Sequence, residues 1–259
     1  MLFLRSLAFN IFLYTFTALC SVVAMLLAIF RPSRLAAFAR GWAQVWLNAH
    51  RVICGVSVEV RGAEHLPEGG CLIAMKHQST WDTFALFALF DNPVYVLKNE
   101  LTWIPVFGWV LKRLGCIPVK RGTGRLALDS MIRGAREACS RGQKVVIFPE
   151  GTRATPGRQS VYKSGLSHLY VALQVPCVPV ALNSGLVWPR RQFRRPPGVV
   201  TVEILSAIPP GLPRRQMFDR VVNDIEAASR RLGGAGVASA VPDAQSAQRP
   251  DPPPARPFE

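Results

Sequence analysis

From position 6 to position 30 the chain carries no charged side chain and is rich in Leu, Phe, Ala and Val. At about 1.5 Å of rise per residue, a helix of that length exceeds the roughly 20 residues needed to cross a bilayer. Residues 32–54 then mix two characters: Leu35, Phe38, Trp42, Val45, Trp46 and Ile53 are apolar, while Arg34, Arg40 and Arg51 are basic. This predicts an amphipathic helix, either lying on a membrane or packed on the core. From residue 56 to about 232 short apolar runs alternate with helical periodicity. Strands are expected at 56–60, 71–75, 94–97, 116–119, 144–148, 177–182 and 199–205, and helices at 81–90, 105–114, 124–141, 164–174 and 218–232. Such alternation predicts an α/β fold, a layered and largely parallel sheet flanked by helices, preceded by an N-terminal membrane helix. The last helix places Val222, Ile225, Ala228 and Leu232 on one stripe and is expected to stop at Gly233-Gly234. The expected organisation is a membrane-anchoring segment (1–54), a catalytic domain (55–232) and a Pro- and Ala-rich tail (233–259) too poor in apolar residues to fold.

The formal charge of +15, from 31 basic against 16 acidic residues, suits a polyanionic partner: nucleic acid, anionic lipid headgroups or a phosphorylated substrate. A cleaved signal peptide would need a shorter apolar region and a small-x-small site before Arg31-Pro32; neither is found, so a retained segment is expected. Arg31, Arg34 and Arg40 follow the apolar run against Arg5 alone before it, which places the bulk of the protein on the cytoplasmic side. Composition leaves open whether the segment spans fully or lies in one leaflet. The six cysteines are scattered singly, several inside apolar runs, as expected of buried reduced thiols, and no metal site is expected.

Two phrases carry candidate chemistry: His77-Gln-Ser-Thr-Trp-Asp82 and Phe148-Pro-Glu-Gly-Thr-Arg153. Each follows a strand-like run, and ligands of open α/β sheets bind outside the carboxyl ends of strands, so both phrases could open onto one crevice. His77 is suited to take a hydroxyl proton near neutral pH. Asp82, five residues on, could orient the imidazole and stabilise its charged form, or could merely cap a helix within Ser79-Thr-Trp-Asp82. In the second phrase Gly151 permits a sharp turn, Thr152 adds a hydroxyl, and Arg153 offers a planar, permanently charged fork for phosphate. Glu150 could orient Arg153 or accept a hydrogen bond from a substrate hydroxyl. The alternative for this phrase is an ordinary turn with a solvated ion pair.

Together with two further blocks, the phrases resemble the bacterial 1-acyl-sn-glycerol-3-phosphate acyltransferases of the phospholipid/glycerol acyltransferase family. The blocks are Lys76-His77 through Asp82; Lys98, Glu100-Leu101, Pro105, Phe107-Gly108, Gly115, Ile117 and Arg121; Phe148 through Arg153; and the strand from Val175 to Ala181, in that order. The resemblance implies transfer of an acyl chain from acyl-CoA or acyl carrier protein to a hydroxyl of lysophosphatidic acid, with no cofactor. It assigns His77 as general base and Asp82 as its orienter. It assigns Glu150, Gly151, Thr152 and Arg153 to the acceptor's glycerol phosphate, with Arg121 as a further phosphate ligand; Lys98, at a strand end, is a candidate for phosphate contact or for plain solvation. The acceptor hydroxyl is then the nucleophile, Ser79 is only a cap, and helix N-terminal amides after His77 are candidates for the oxyanion. Trp81, Trp103, Phe107 and Trp109 are candidates for an acyl channel or for the core. The basic run from Arg190 to Arg195 is a candidate for anionic headgroups or a solvated loop. The expected location is the inner (cytoplasmic) membrane of a bacterium, rich in anionic lipid, with the catalytic domain on its cytoplasmic face. Rival readings are a sibling enzyme acting on glycerol-3-phosphate or another lysophospholipid, and a membrane-tethered basic protein binding anionic lipid or nucleic acid. No nucleic-acid motif is present, and the expected partners exclude nucleic acid.

Overall fold

Alternate residues of the buried strands face opposite helical layers. In β2 (Cys71–Met75), Cys71, Ile73 and Met75 join one apolar core while Leu72 and Ala74 join the other. The same division holds in β5 (Lys144–Ile147) and β6 (Cys177–Leu182). Both faces being covered, these strands read as continuous apolar runs. The computed structural model describes residues 1–120 and 122–238. It forms one seven-stranded sheet in the order β1-β7-β6-β2-β5-β3-β4. The outer members are β1 (Val56–Arg61), β7 (Gly198–Ile204), β3 (Pro93–Lys98) and β4 (Ile117–Val119). All neighbours are parallel except β6 and β7. Helices α5 (Arg125–Ser140), α6 (Gly165–Leu173) and α7 (Arg214–Ala238) cover one face; α1 (Leu2–Phe30), α2 (Leu35–Ala49) and α3 (Thr80–Leu89) pack on the other, with α4 (Phe107–Arg113) beside α1. The layered, largely parallel arrangement expected from the alternation is found.

Helix α1 is long and apolar enough to cross a membrane, and only 17% of its most apolar stretch is buried. It begins at Leu2, ahead of the uncharged run, and takes in Arg5, whose Nε donates to the Ile53 carbonyl. Phe9 and Leu13 are buried against the domain, where Phe9 stacks on His50 at 4.5 Å and meets Trp188 edge-on at 5.7 Å. Ser6 accepts a hydrogen bond from the Arg195 backbone at 2.9 Å. The opposite side leaves Leu4, Ile11, Leu19, Leu26 and Phe30 exposed. Such a face is stable only against lipid or another apolar surface. The protein is therefore expected to stay with the membrane fraction through an alkaline carbonate wash; full-length chain in the supernatant would count against this.

Of the two arrangements predicted for residues 32–54, the one packed on the core is found for α2. Trp46 is fully buried among Phe9, Trp81, Phe84 and Trp188, while Val45 and Val52 face outward. A π-helical turn, His50–Cys54, follows. Burial and the nearby Arg195 push the His50 imidazole down to about 3, so it is a neutral aromatic member of this cluster.

Helix α7 corrects the expected C-terminal boundary. It runs through Gly233-Gly234 to Ala238, so residues 233–238 are helical rather than part of a structureless tail. A glycine inside a helix costs only about 1 kcal/mol relative to alanine, and the buried stripe of Met217, Val221, Ile225, Ala228 and Leu232 holds the helix up to this point. Val221, not Val222, belongs to that stripe. The rest of the expected tail, residues 239–259, lies outside the described residues.

Candidate active site

Strand order brings the two phrases together. β2 and β5 are adjacent and parallel, so the loops leaving their carboxyl ends, at His77 and at Pro149, emerge side by side. The main chain ties them further: Ala154 N–H donates to His77 O at 2.6 Å. β6 lies on the other side of β2, and its exit loop adds Ser184 and Gly185.

Asp82 is fully buried and accepts four hydrogen bonds. Its Oδ2 takes His77 Nδ1 at 2.9 Å, Gln78 N at 2.7 Å and Ser79 N at 2.9 Å, while its Oδ1 takes the Ser184 hydroxyl. The orienting and capping roles are thus both filled by one carboxylate, with Ser79 Oγ accepting Trp81 N to complete the capping box. Because Asp82 accepts from Nδ1–H, the proton-accepting position of the neutral imidazole is Nε2. The ring stacks on Phe148 at 4.2 Å and is itself part of a groove wall. Of the amides after His77, those of Gln78, Ser79 and Trp81 are spent on the cap.

Glu150 does not line this groove. It is buried, its Oε1 accepts the His77 backbone N–H at 3.2 Å, and the same oxygen stands 3.6 Å from the Lys76 ammonium. The expected contact with the acceptor's glycerol phosphate is therefore replaced by a hold on the backbone of His77. Burial pushes the Glu150 carboxyl up to about 7, against the opposing pull of Lys76 and of the His77 N–H. The folded value lies above the ordinary one, so the unfolded chain ionises first as pH rises. Relative to Glu150→Gln, the wild-type chain is expected to lose stability between about pH 4.5 and about 7, on the order of 2–3 kcal/mol, and to level off above. Thermal midpoints of the two proteins at pH 5 and pH 7.5 check this; parallel behaviour would mean that Glu150 titrates normally.

The groove containing His77 has a volume of about 440 Å³ and is walled by Gly151, Thr152, Arg153 and Lys98 together with Leu97, Leu101, Val119 and Met131. Gly151 adopts φ +66°, which lets the chain turn back after Glu150. Arg153 Nη1 donates to Thr80 Oγ1 at 2.8 Å, and among the described residues no carboxylate lies within ion-pair distance of it. Partial burial, together with the like charge of Arg190, holds its guanidinium below the ordinary arginine value. Arg153 also borders a second groove of about 650 Å³, lined by Leu13, Tyr14 and Thr17 of α1 with Phe84, Phe107 and Trp188. It stands where the two grooves meet.

Of the four aromatics considered for a channel, Phe107 lines the second groove; Trp81 is core, Trp103 is exposed, and Trp109 lies under the Arg113 guanidinium. Of the basic run, Arg190 borders the His77 groove, Arg191 and Arg195 border the second, and Arg195 is buried over Trp188 at 4.3 Å. Arg121 lies outside the described residues.

The acyltransferase family pattern, described as "Acyltransferase", matches residues 57–183, which contain both phrases. The matched stretch, just under half of the chain, is similar to that family. A 1-acyl-sn-glycerol-3-phosphate acyltransferase of Pseudomonas aeruginosa is 40% identical to it over 164 residues, covering 63% of each chain. The mouse 1-acyl-sn-glycerol-3-phosphate acyltransferase alpha is 31% identical over 162 residues, 61% of this chain and 57% of the mouse one. The chain thus spans less than two thirds of the length of these relatives. A crystal structure of the 1-acyl-sn-glycerophosphate (LPA) acyltransferase from Thermotoga maritima superposes with a TM-score of 0.74, over 90% of this chain and 99% of that one. At 18% identity that likeness is one of fold.

Several residues of this site were invisible to sequence reasoning. Ser184 reaches Asp82 from the exit of β6; Gln78 Oε1 accepts Gly185 N at 3.1 Å; Lys163 reaches the groove from a remote loop. No spacing pattern links such residues, because only the strand order makes them neighbours. At Gly185 a β-carbon would come within 2.6 Å of Pro156, so a side chain there would push the two loops apart.

Proposed function

We propose that this chain transfers a fatty acyl group from acyl-CoA or acyl carrier protein to the sn-2 hydroxyl of 1-acyl-glycerol-3-phosphate, giving phosphatidic acid for phospholipid synthesis. The observation that carries this reading is Arg153, a guanidinium with no carboxylate within ion-pair distance among the described residues, standing at the junction of two partly apolar grooves one of which holds the His77 imidazole. A phosphate on Arg153 and a hydroxyl at His77 Nε2 is the pairing that a lysophosphatidic acid presents, and two grooves accommodate two acyl chains. Lys98 on the rim and Thr152 in the wall add donors for the same head.

His77 takes the proton of the acceptor hydroxyl as that oxygen attacks the thioester carbonyl. Asp82 holds Nδ1–H and stabilises the imidazolium so formed. Collapse of the tetrahedral intermediate expels the thiolate, which receives the proton back from Nε2. No covalent enzyme intermediate is needed. The exposed apolar side of α1 and the arginines that follow it support attachment to the inner membrane with the catalytic domain on its cytoplasmic face.

The test is an acceptor panel with purified, detergent-solubilised protein and both donors. Lysophosphatidic acid is expected to be acylated at least about tenfold faster than lysophospholipids whose phosphate carries a further headgroup, since each polar mismatch costs about 1–3 kcal/mol. Preference for glycerol-3-phosphate would make it a sibling enzyme, and no transfer to any hydroxyl would overturn the reading.

A further inference from the structure

Behind the groove lies a buried charge cluster that the mechanism has not used. Lys76 immediately precedes the base and is only 2% exposed. Its ammonium donates to Glu226 of α7 and to Ser160 Oγ at 3.3 Å, and lies 5.5 Å from the centre of the Tyr162 ring. Glu226 is also buried and accepts the Tyr162 hydroxyl at 3.0 Å. Glu150 completes the group: its Oε1 is shared between the His77 N–H and Lys76, and its Oε2 has no hydrogen-bond partner among the described residues. One ammonium therefore faces two carboxylates, and the nearer of them comes from the last helix, 150 positions along the chain from Lys76.

We infer that Glu226 is a positioning residue for the base: by neutralising Lys76 it leaves Glu150 to hold the backbone of His77. The chain of causes is short. A buried ammonium stripped of its partner draws in the closest remaining carboxylate, since an uncompensated charge in a dry interior is costly. That carboxylate is Glu150, and the atom it would offer is the one now accepting the His77 N–H. Losing this hydrogen bond releases the backbone at the point where β2 ends and the imidazole begins. Asp82 would still hold Nδ1, but from a displaced ring, and a misplacement of the order of 1 Å costs up to about a hundredfold in rate. The last helix is in this way a part of the catalytic apparatus, although it reaches neither groove.

This inference rests on the acyl-transfer reading, and its test separates the two. Glu226→Gln is expected to lower kcat about ten- to a hundredfold, with the Michaelis constants of donor and acceptor within about twofold of wild type. In the same protein, hydrogen exchange of the His77 amide is expected to quicken at least about fivefold while the amides of Leu72 to Met75 keep their protection. Removing the ammonium as well, in Lys76→Met with Glu226→Gln, should return most of the lost turnover and the protection of His77, because nothing then draws Glu150 away. A residue that only packs α7 would lower the thermal midpoint in both variants without the double variant regaining turnover, and that result overturns the inference. So does Glu226→Gln with wild-type kcat, or with unchanged exchange at His77. Should the single variant fail to fold, the double variant decides alone: turnover within about tenfold of wild type supports the charge balance, and its loss refutes it. If wild-type protein transfers no acyl group, the functional reading fails, and the exchange measurement still tests the hold on His77.

Discussion

His77→Ala is expected to abolish acyl transfer, lowering kcat by about three orders of magnitude or more while leaving a folded, membrane-bound protein. General-base catalysis accounts for roughly 10²–10⁴ in rate. The fold should tolerate the change because the imidazole lies against Phe148 in a groove wall rather than in the core. Asp82→Asn should approach the same loss by another route. Four donors converge on that carboxylate, and an amide offers one acceptor oxygen with an NH₂ that must then face a donor. It should also cost more stability than the histidine change, since Asp82 caps α3 from a fully buried position. Turnover near wild type in Asp82→Asn would reduce Asp82 to a helix cap.

Arg153→Lys should separate binding of the two substrates. A lysine keeps the charge but cannot donate to Thr80 and also present a planar fork to phosphate, as Arg153 can through the Nη1 bond to Thr80 Oγ1 and its remaining N–H groups. A weakening of about 1–3 kcal/mol is expected, read as a rise of roughly ten- to a hundredfold in the Michaelis constant for lysophosphatidic acid. The donor's constant should change little. Some turnover is lost too, because phosphate held at a distance positions the hydroxyl against His77. Steady-state kinetics with both substrates varied provides the measurement. A raised donor constant with an unchanged acceptor constant would mean that this turn binds the carrier of the thioester, reversing the assignment.

The elements that the chain advertises are those whose signal is local. β2, β5 and β6 are unbroken apolar runs because both their faces are covered, and all seven strands appear within a residue or two of their expected positions. His77 and Asp82 were legible as a pair for the same reason: a helix start places residues five apart within reach of one carboxylate. Glu150 was not. Its neighbours in sequence are the turn and Arg153, and nothing near it signals that Lys76 and Glu226 share its pocket. Ser184 is equally silent, a serine among many until the pairing of β6 with β2 sets it against Asp82. The boundary at Gly233-Gly234 misled because glycine lowers helix propensity without itself ending a helix. For residues 32–54 the pattern allowed two environments, and the choice lay with partners such as Phe9 and Trp188 far away in the chain.

The sheet order also divides labour in a way that bears on how such an enzyme can change. His77 and Arg153 follow neighbouring strands, β2 and β5, yet the chain between those strands makes a long excursion through β3, α4, β4 and α5 at one edge of the sheet. That excursion supplies Leu97, Leu101, Val119 and Met131 to the apolar part of the groove wall, with Lys98 beside them, and contains neither His77 nor Arg153. Substitutions along it can reshape the space available to a hydrocarbon chain while the reacting atoms keep their places. Under the acyl-transfer reading, lineages sharing this scaffold can diverge in the length or unsaturation of the chains they accept by redrawing one edge, while His77 and Arg153 keep their places.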